Sequence, residues 1–485
     1  MTRRPLGGAL RAALFVIGAA VAVCSAPSRS SAQTAAETQS LLITADRLVA
    51  SKQLDEARTA IERVLAADPR SAAAHDRLGY VLGLQGRTED AIAEFERAVA
   101  LQPNLADAQY HLGATRWWTK QIDAARAPLE RAVALRPAHA ESRYYLGLVK
   151  RQQGDLAGAA GELRAAIKAD PGLAVAHLQL GATLQAWGDI DGAIVALERA
   201  VALDGTRADA ANSLGLALMQ KGDAARAGRV LREAVDRHPD FGSARLNLGT
   251  ALLQAGDVDG ALEAYRELTR REPSNAEAVY DLGLALKQKD DFAGAETAFR
   301  NAMRLDPSMP EAPFSLGVVL WQTGRADEAT TLFTEALSRK PDFANALYML
   351  GTIYKQRGDS RALDTFREAI RLDPSMAEAY TSMGQMLTAA HDTAAAADAF
   401  AQAERLTRLK ADSQASIFAV QAGLDRVKKN DAPGAISKFR EAVRLAPENA
   451  QAHYQLALAL RRRGARAEAL AEYEAARRLA PYLRW

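Results

Sequence analysis

Cysteine is almost absent from this chain, because its 485 residues include only one, Cys24. A single thiol cannot form a disulfide within the chain or provide the paired ligands of a structural zinc site. No two of the seven histidines lie at metal-ligand spacing with a carboxylate or a cysteine. There is also no phosphate-binding glycine loop and no catalytic constellation. We therefore expect no metal, no cofactor and no enzyme activity.

A strong charge of either sign is absent as well. The 61 basic and 59 acidic side chains leave a formal net charge of +2. Proteins that bind nucleic acid generally need a basic surface that displaces counterions from phosphate. The nearly neutral composition therefore predicts that nucleic acid is not a partner.

Long hydrophobic runs are also lacking, and the apolar stretch at residues 12–23 is too short to cross a bilayer comfortably. Three arginines precede this stretch, and small residues at 30–32 follow it, which is typical of a cleaved export signal. We predict a signal peptide at residues 1–32 that is removed before Gln33. The mature chain would then have no transmembrane segment, and the periplasm is its expected location.

Alternatives to a simple cleaved signal remain open. A retained membrane anchor is the weaker interpretation because the apolar stretch is short. Cys24 could carry a lipid, but the bulky Val23 stands where a lipoprotein signal has a small residue. Arg3 and Arg4 match a twin-arginine signal only in part, so the sequence does not distinguish that export pathway from the general secretory one.

Aromatic residues are few, at 6% of the chain, whereas 48% of the residues are hydrophobic and many of these are alanine. Such a composition favours helices and gives no strand signal. A glycine recurs at a fixed period of 34 residues, at Gly79, Gly113, Gly147, Gly181, Gly215, Gly249, Gly283, Gly317 and Gly351. A period of this length indicates a unit that buries its apolar face by stacking on copies of itself. We predict an all-α solenoid of about thirteen helix-turn-helix repeats.

Other positions keep the same register as the glycine. Alanine follows it by twelve residues in most repeats, and a proline or glycine closes most of the units. Repeat 2 has the full pattern, with Leu78, Gly79, Ala91, Phe95, Ala98 and Pro103. The pattern resembles the tetratricopeptide repeat family, and with the leader it resembles an exported bacterial member. The resemblance implies a right-handed superhelix whose first helices line a concave wall.

The repeats account for nearly all of the chain. The predicted segments are a short lead at 33–37, repeats 1 to 11 at 38–410, repeats 12 and 13 at 416–483, and two terminal residues at 484–485. The first repeat, beginning near Thr38, is degenerate because Ala45 replaces its glycine. No room is left for a separate catalytic domain.

The register changes at residues 411–415. Repeat 11 has Arg408 in place of its closing proline, and about five extra residues precede repeat 12. We therefore expect the second helix of repeat 11 to end near Lys410. Asp412 or Ser413 would then cap a new helix, with a change of superhelical phase.

Ligand contacts are expected on the face of the first helices that packing does not need. Side chains at i, i+4, i+7 and i+8 share one face of a helix, and glutamine occupies the last of these positions in six repeats. Its amide both donates and accepts, which suits an extended peptide backbone. The alternative is an ordinary solvated surface.

Aromatic and basic residues accompany these glutamines in repeats 8 to 10. The predicted groove comprises Tyr280, Lys287, Gln288, Phe314, Trp321, Gln322, Tyr348, Lys355 and Gln356. Aromatic side chains provide contact area at low entropic cost, and the two lysines would favour an acidic or carboxylate-bearing segment.

A second candidate groove lies in repeats 3 and 4. Its members are Tyr110, Trp117, Trp118, Tyr144, Arg151 and Gln152. Pro128 lies beyond the first turn of the second helix of repeat 3, where it should kink the helix. The paired tryptophans could therefore refill disturbed packing instead of contacting a ligand.

The stacking face of the last repeat needs a cover, because solenoids usually end in a polar capping element. Charged side chains could make this face tolerable, or Tyr482, Leu483 and Trp485 could fold back over it. Alternatively, another chain could cover the face and give a homo-oligomer.

Taken together, the sequence favours a non-catalytic scaffold that binds a protein or an extended peptide segment in an envelope assembly. The alternative is an accessory subunit that positions an envelope enzyme, for example in polysaccharide synthesis or export. The sequence does not identify the partner.

Overall fold

A computed structural model of the protein describes residues 29–483. Most of the predicted leader, Cys24 and the last two residues lie outside this range. Within it the chain forms twenty-five α-helices and no strand, so the predicted all-α fold is confirmed. No helix in this range is both long and apolar enough to cross a membrane.

The helices belong to two compact units that meet between residues 213 and 214. The first unit contains α1 (Arg29–Ala50), α2 (Leu54–Ala67), α3 (Ala72–Leu84), α4 (Thr88–Leu101), α5 (Ala106–Trp118), α6 (Ile122–Leu135), α7 (Ala140–Gln152), α8 (Leu156–Ala169), α9 (Ala174–Trp187) and α10 (Ile190–Leu203). The boundary falls within α11 (Ala208–Lys221). The second unit continues with α12 (Ala224–Arg237), α13 (Gly242–Gln254), α14 (Val258–Arg271), α15 (Ala276–Gln288), α16 (Phe292–Leu305), α17 (Glu311–Gln322), α18 (Ala326–Arg339), α19 (Ala344–Gln356), α20 (Arg361–Leu372), α21 (Ala377–Ala389), α22 (Thr393–Lys428), α23 (Ala432–Leu445), α24 (Ala450–Arg463) and α25 (Arg466–Leu479).

A single residue in the left-handed region separates the two helices of each repeat. The thirteen residues are Lys52, Gly86, Lys120, Gly154, Gly188, Gly222, Gly256, Asp290, Gly324, Gly358, His391, Asn430 and Gly464. A left-handed residue ends the first helix, and the next residue can cap the second one. In repeat 8, the carboxylate of Asp291 accepts a 2.9 Å hydrogen bond from the N–H of Gly294. These turns agree with the predicted thirteen repeats.

The periodic glycine allows the two helices of a repeat to approach closely. A Cβ atom at Gly283 would lie 2.6 Å from Cε1 of Phe299, a buried residue on the second helix. Ala295 and Ala302 are fully buried on the same helix. The small residues therefore hold their fixed spacing because larger side chains would separate the helices.

Repeat 1 begins earlier than predicted, because α1 starts at Arg29 and not near Thr38. Residues 29–37 contain neither glycine nor proline, so nothing in them ends a helix. The cleavage point predicted before Gln33 consequently falls within α1.

The helix end predicted near Lys410 is wrong. α22 continues from Thr393 to Lys428 as a single helix of 36 residues, and neither Asp412 nor Ser413 caps a new one. Residues 401–420 contain no glycine or proline and many good helix formers. The second helix of repeat 11 and the first helix of repeat 12 are therefore one continuous helix.

α6 contains Pro128 and continues beyond it to Leu135.

At the end of the described chain, the hydroxyl of Tyr473 donates to the carbonyl oxygen of Leu483 at 3.4 Å. This bond attaches the end of the described chain to α25. Leu470 and Leu479, both on α25, nevertheless remain about half exposed.

Candidate functional site

The candidate groove of repeats 8 to 10 lies on the side formed by first helices. The first helices α15 and α17 contact each other, as do α13 and α15, whereas successive second helices show no comparable contact in the described range. The stack is therefore tighter on the first-helix side, which makes this side the inner one. Below, "inner groove" means the nine predicted residues from Tyr280 to Gln356.

The three aromatic residues at the first position of the inner groove are half-buried and belong partly to the core. The ring of Tyr280 lies 5.6 Å from that of Phe299, and Phe314 lies 5.7 Å from Phe333. Tyr348 packs at 6.0 Å on a buried phenylalanine of α20 in the same way. These rings can therefore present only one side to a partner.

A hydrogen bond links two of the repeats at this surface. The hydroxyls of Tyr280 and Ser315 lie 3.0 Å apart, and Ser315 is buried on the first helix of the next repeat. Burial, more than any other cause, raises the pKa of Tyr280. The Tyr280 hydroxyl therefore stays neutral and already has a partner within the protein.

The polar side of the inner groove is more accessible. Gln288, Gln322 and Gln356 are exposed, and none makes a side-chain hydrogen bond among the residues that the structure describes. Lys287 and Trp321 are half-exposed between them, and so is Lys355, whose ammonium group donates to the amide oxygen of Gln385. The structure thus places the predicted residues on three consecutive first helices with their polar groups at the surface.

An acidic residue not predicted from the sequence, Asp281, lies directly after Tyr280 on α15. It is partly buried, and this burial, together with the charge of Glu277, raises its pKa to about 7. Burial and, after it, the charge of Asp281 raise the pKa of Tyr265, whose hydroxyl lies 3.0 Å from that of Thr250. No ion pair or hydrogen bond to the Asp281 carboxylate occurs among the described residues. Near neutral pH this carboxyl therefore carries only part of a charge.

The second candidate groove is mainly a packed aromatic cluster. Tyr110 is only 4% exposed and lies in the core with Tyr145, so the prediction that Tyr110 contacts a ligand does not fit its burial. The indole N–H of Trp118 donates to the Tyr145 hydroxyl at 3.0 Å, while the rings of Trp117 and Trp118 meet edge to face at 5.0 Å. Tyr145 was not among the predicted site residues.

The outer members of this cluster keep some surface. Tyr144 is half-buried against Tyr145, with ring centroids 5.1 Å apart, and burial raises the pKa of Tyr144 to about 12. Arg151 is partly exposed and Gln152 is exposed. The cluster therefore offers Trp118 and polar residues at its edge, while its centre holds repeats 3 and 4 together.

Several histidines have a structural role at the fourth residue of a first helix. His75, His177 and His453 each bring Nε2 to the carbonyl oxygen of the proline six residues earlier, at 3.1, 3.2 and 2.9 Å. A ring N–H donates there, which satisfies a carbonyl at the end of the preceding repeat or loop. The described residues contain no cluster of three potential metal ligands.

Two family models match successive parts of this repeated fold. A tetratricopeptide repeat model matches residues 44–114, 119–174 and 420–483. A model of the C-terminal domain of cilia and flagella-associated protein 70 matches residues 205–420. These matched stretches support membership of the tetratricopeptide repeat family. Proteins of this family generally mediate protein–protein interactions.

Several solved structures resemble parts of this chain. MamA is 26% identical, and the alignment covers 34% of this chain and 97% of MamA with a TM-score of 0.31. YrrB, a TPR protein with an unusual peptide-binding site, is 21% identical over 39% of this chain and 97% of its own, with a TM-score of 0.33. A tetratricopeptide repeat protein from Parabacteroides merdae ATCC 43184 is 14% identical over 50% and 97%, with a TM-score of 0.44. No curated protein sequence matches this chain significantly.

Proposed function

We propose that this protein is a non-catalytic scaffold that holds an extended peptide segment of a partner protein in the inner groove. The observation that carries the proposal is the set of unpaired glutamine amides on α15, α17 and α19. Gln288, Gln322 and Gln356 recur at one register in consecutive repeats and remain available to an incoming backbone. An extended peptide presents alternating donors and acceptors, which such amides can satisfy.

The residues beside the glutamines favour a partner segment with a carboxylate. Lys287 and Lys355 flank Trp321 in the same register, and the available face of the indole provides apolar contact area. Lys355 donates to a neutral amide in the free protein. A carboxylate forms a stronger, charge-assisted hydrogen bond and would displace that amide.

The predicted leader supports an exported location for this scaffold, in the periplasm, with a partner in an envelope assembly. Amino-terminal sequencing of protein recovered from fractionated cells would test this part separately. A mature chain that begins at Gln33 in the periplasmic fraction is expected. An intact leader on a protein in the cytoplasmic fraction would contradict the exported location without affecting the groove.

Crosslinked capture from intact cells tests the groove. The charge-reversing pair Lys287→Glu with Lys355→Glu, and separately Trp321→Ala, should reduce recovery of the partner at least several-fold. The control pair Arg304→Glu with Arg367→Glu changes the net charge equally on exposed positions of second helices. It should leave recovery unchanged.

The identity of what is captured distinguishes two forms of the proposal. Recovery of an envelope enzyme that depends on the groove would make the protein an accessory subunit for that enzyme. Equal recovery by the parent and by all groove variants, with helicity preserved, would contradict binding in the inner groove.

A further inference from the structure

The second helix of repeat 11 has an uncovered core position. Sixteen residues after the periodic glycine, an aromatic or leucine side chain is fully buried in repeats 2 to 9 and in repeat 12, as with Phe95, Phe299 and Phe439. In repeat 11 this residue is Phe400, and it is 39% exposed. One side of its ring still packs on Gly384, so the open side is the one that a following repeat would cover.

The first helix of repeat 12 also has an exposed residue at a position that is buried in other repeats. Five residues before the periodic glycine, or before the alanine that replaces it in repeat 13, a small residue is buried in repeats 2 to 11 and in repeat 13, as with Ala278, Ala346 and Ala452. In repeat 12 the residue at this position is Phe418, and it is 75% exposed. A large apolar side chain therefore stands in solvent at a position that is otherwise part of the core.

The continuity of α22 explains both exposures. Elsewhere the second helix of a repeat packs against the first helix of the next, as α16 does with α17 and α23 with α24. The position of Phe400 is covered in this way in repeat 2, where the ring of Phe95 lies 5.4 Å from that of His111 in repeat 3. In α22 both helices are halves of one continuous helix, so they cannot pack against each other.

Phe400 and Phe418 lie on the same side of α22. They are eighteen residues apart, which is five turns of an α-helix and a distance of about 27 Å. Between them the same side carries Thr407 and Ala411, whose small side chains permit another helix to approach closely. One face of α22 thus carries both surfaces that normally form an interface between repeats, with small side chains between them.

We propose that a second copy of this chain covers this face, so that two α22 helices pair antiparallel about a two-fold axis midway between Phe400 and Phe418, where Thr407 of one copy faces Ala411 of the other. Successive helices across an ordinary repeat interface are also antiparallel. In the pair, the Phe400 half of each copy would meet the Phe418 half of the other, which closes two repeat interfaces at once. A face that carries both halves of one interface is self-complementary, as a two-fold dimer requires.

Sedimentation equilibrium of the full chain over a concentration series tests this dimer. The parent should approach twice the monomer mass, whereas Phe418→Asp should remain a monomer. Because Phe418 is largely exposed, its replacement should not unfold the chain, which circular dichroism would check. Val195→Asp is the matched control, since Val195 is also exposed, at 67%, but lies on α10. It should retain the parent mass.

Cysteine crosslinking tests the predicted axis independently. With Cys24 replaced by serine in both, mixing Thr407→Cys chains with Ala411→Cys chains would place the two thiols opposite each other, and mild oxidation should give a mixed disulfide-linked dimer. Leu409→Cys lies on the opposite side of the same helix and should stay monomeric under denaturing conditions. A parent that is monomeric at every concentration, a dimer that survives Phe418→Asp, or crosslinking of Leu409→Cys equal to that of the 407 and 411 mixture would overturn the proposal.

Discussion

The Nδ1 atom of His111 lies 2.7 Å from Oδ1 of Asp76 and joins the first helices of repeats 2 and 3. Both side chains are almost completely buried, and the rings of Tyr80 and Phe95 lie 5.4 Å from the imidazole. An ionised carboxylate can only accept hydrogen bonds, so Nδ1 carries the hydrogen. This contact makes the stacking of the two repeats dependent on a titratable pair.

The Asp76–His111 pair should make stability depend on pH. Burial alone would lower the pKa of His111, but the charge of Asp76 and the hydrogen bond to it outweigh burial and raise the pKa above 6.5. The folded chain then binds the proton more tightly than the unfolded chain. The resulting stabilisation is complete below pH 6.5 and is lost as the pH rises through the folded-state pKa.

Asp76→Asn should therefore lower the urea midpoint most below pH 6.5 and remove this part of the pH dependence. The control is Asp46→Asn, which breaks the 2.9 Å ion pair that Asp46 forms with Arg77 between repeats 1 and 2. Arginine does not titrate in this range, so the control should lose stability by a similar amount at each pH. Parallel pH profiles for the two variants would contradict the assignment.

Asp281 should have the opposite effect on stability from that of a paired carboxylate. Burial and the nearby Glu277 raise its pKa from 3.8 to about 7, so the folded chain binds its proton more tightly. Its contribution is favourable below about pH 4 and falls as the pH rises towards 7. Asp281→Asn should consequently raise the urea midpoint at pH 8 and leave it nearly unchanged at pH 4. Asp364→Asn, at an exposed position, should change neither.

Two glycine substitutions should have effects of opposite sign. In Gly283→Ala the new methyl group would overlap the ring of Phe299, and this crowding should destabilise the second unit by about 1–3 kcal/mol. Gly161 lies within α8 and has no atom within 4 Å of an added Cβ. Gly161→Ala should stabilise the protein by roughly 0.5–1 kcal/mol through its better helix propensity. Urea midpoints for both variants would show the difference, and destabilisation by Gly161→Ala would contradict it.

The repeat register was predictable because small residues mark close helix contacts. Gly283 and Ala295 recur at their spacing since the paired helices permit nothing larger there, and this constraint is local to each repeat. The sequence therefore determines the number of repeats and the pairing of the two helices within each. The glutamine register was also sufficient to identify the polar side of the inner groove.

Contacts that depend on neighbouring repeats were not predictable in the same way. The half-burial of Tyr280 and the full burial of Tyr110 depend on how each ring packs against other helices, which position on a helix does not specify. The Asp76–His111 contact joins residues 35 apart, one more than the repeat length. The absent proline of repeat 11 predicts a change of phase but not the continuity of α22, which follows because no residue there ends a helix.

An empty position beside His177 gives the last prediction. In repeats 2 and 13 a glutamate nineteen residues after the histidine faces its Nδ1, at 2.6 Å for Glu94 and 2.5 Å for Glu472. In repeat 5 the corresponding residue is Ala196, and a cavity of about 840 Å³ is lined by His177 and Ala196. Burial accordingly lowers the pKa of His177.

Ala196→Glu should restore the missing pair. A carboxylate facing Nδ1 favours the charged imidazole, so the pKa of His177 should rise, as measured by NMR titration. The new charge-assisted hydrogen bond should add about 1–2 kcal/mol to stability below the raised pKa. Ala196→Gln fills the same space without a charge and should leave the pKa near its lowered value. If Ala196→Glu also leaves this pKa low, the cavity does not position a carboxylate as repeats 2 and 13 do.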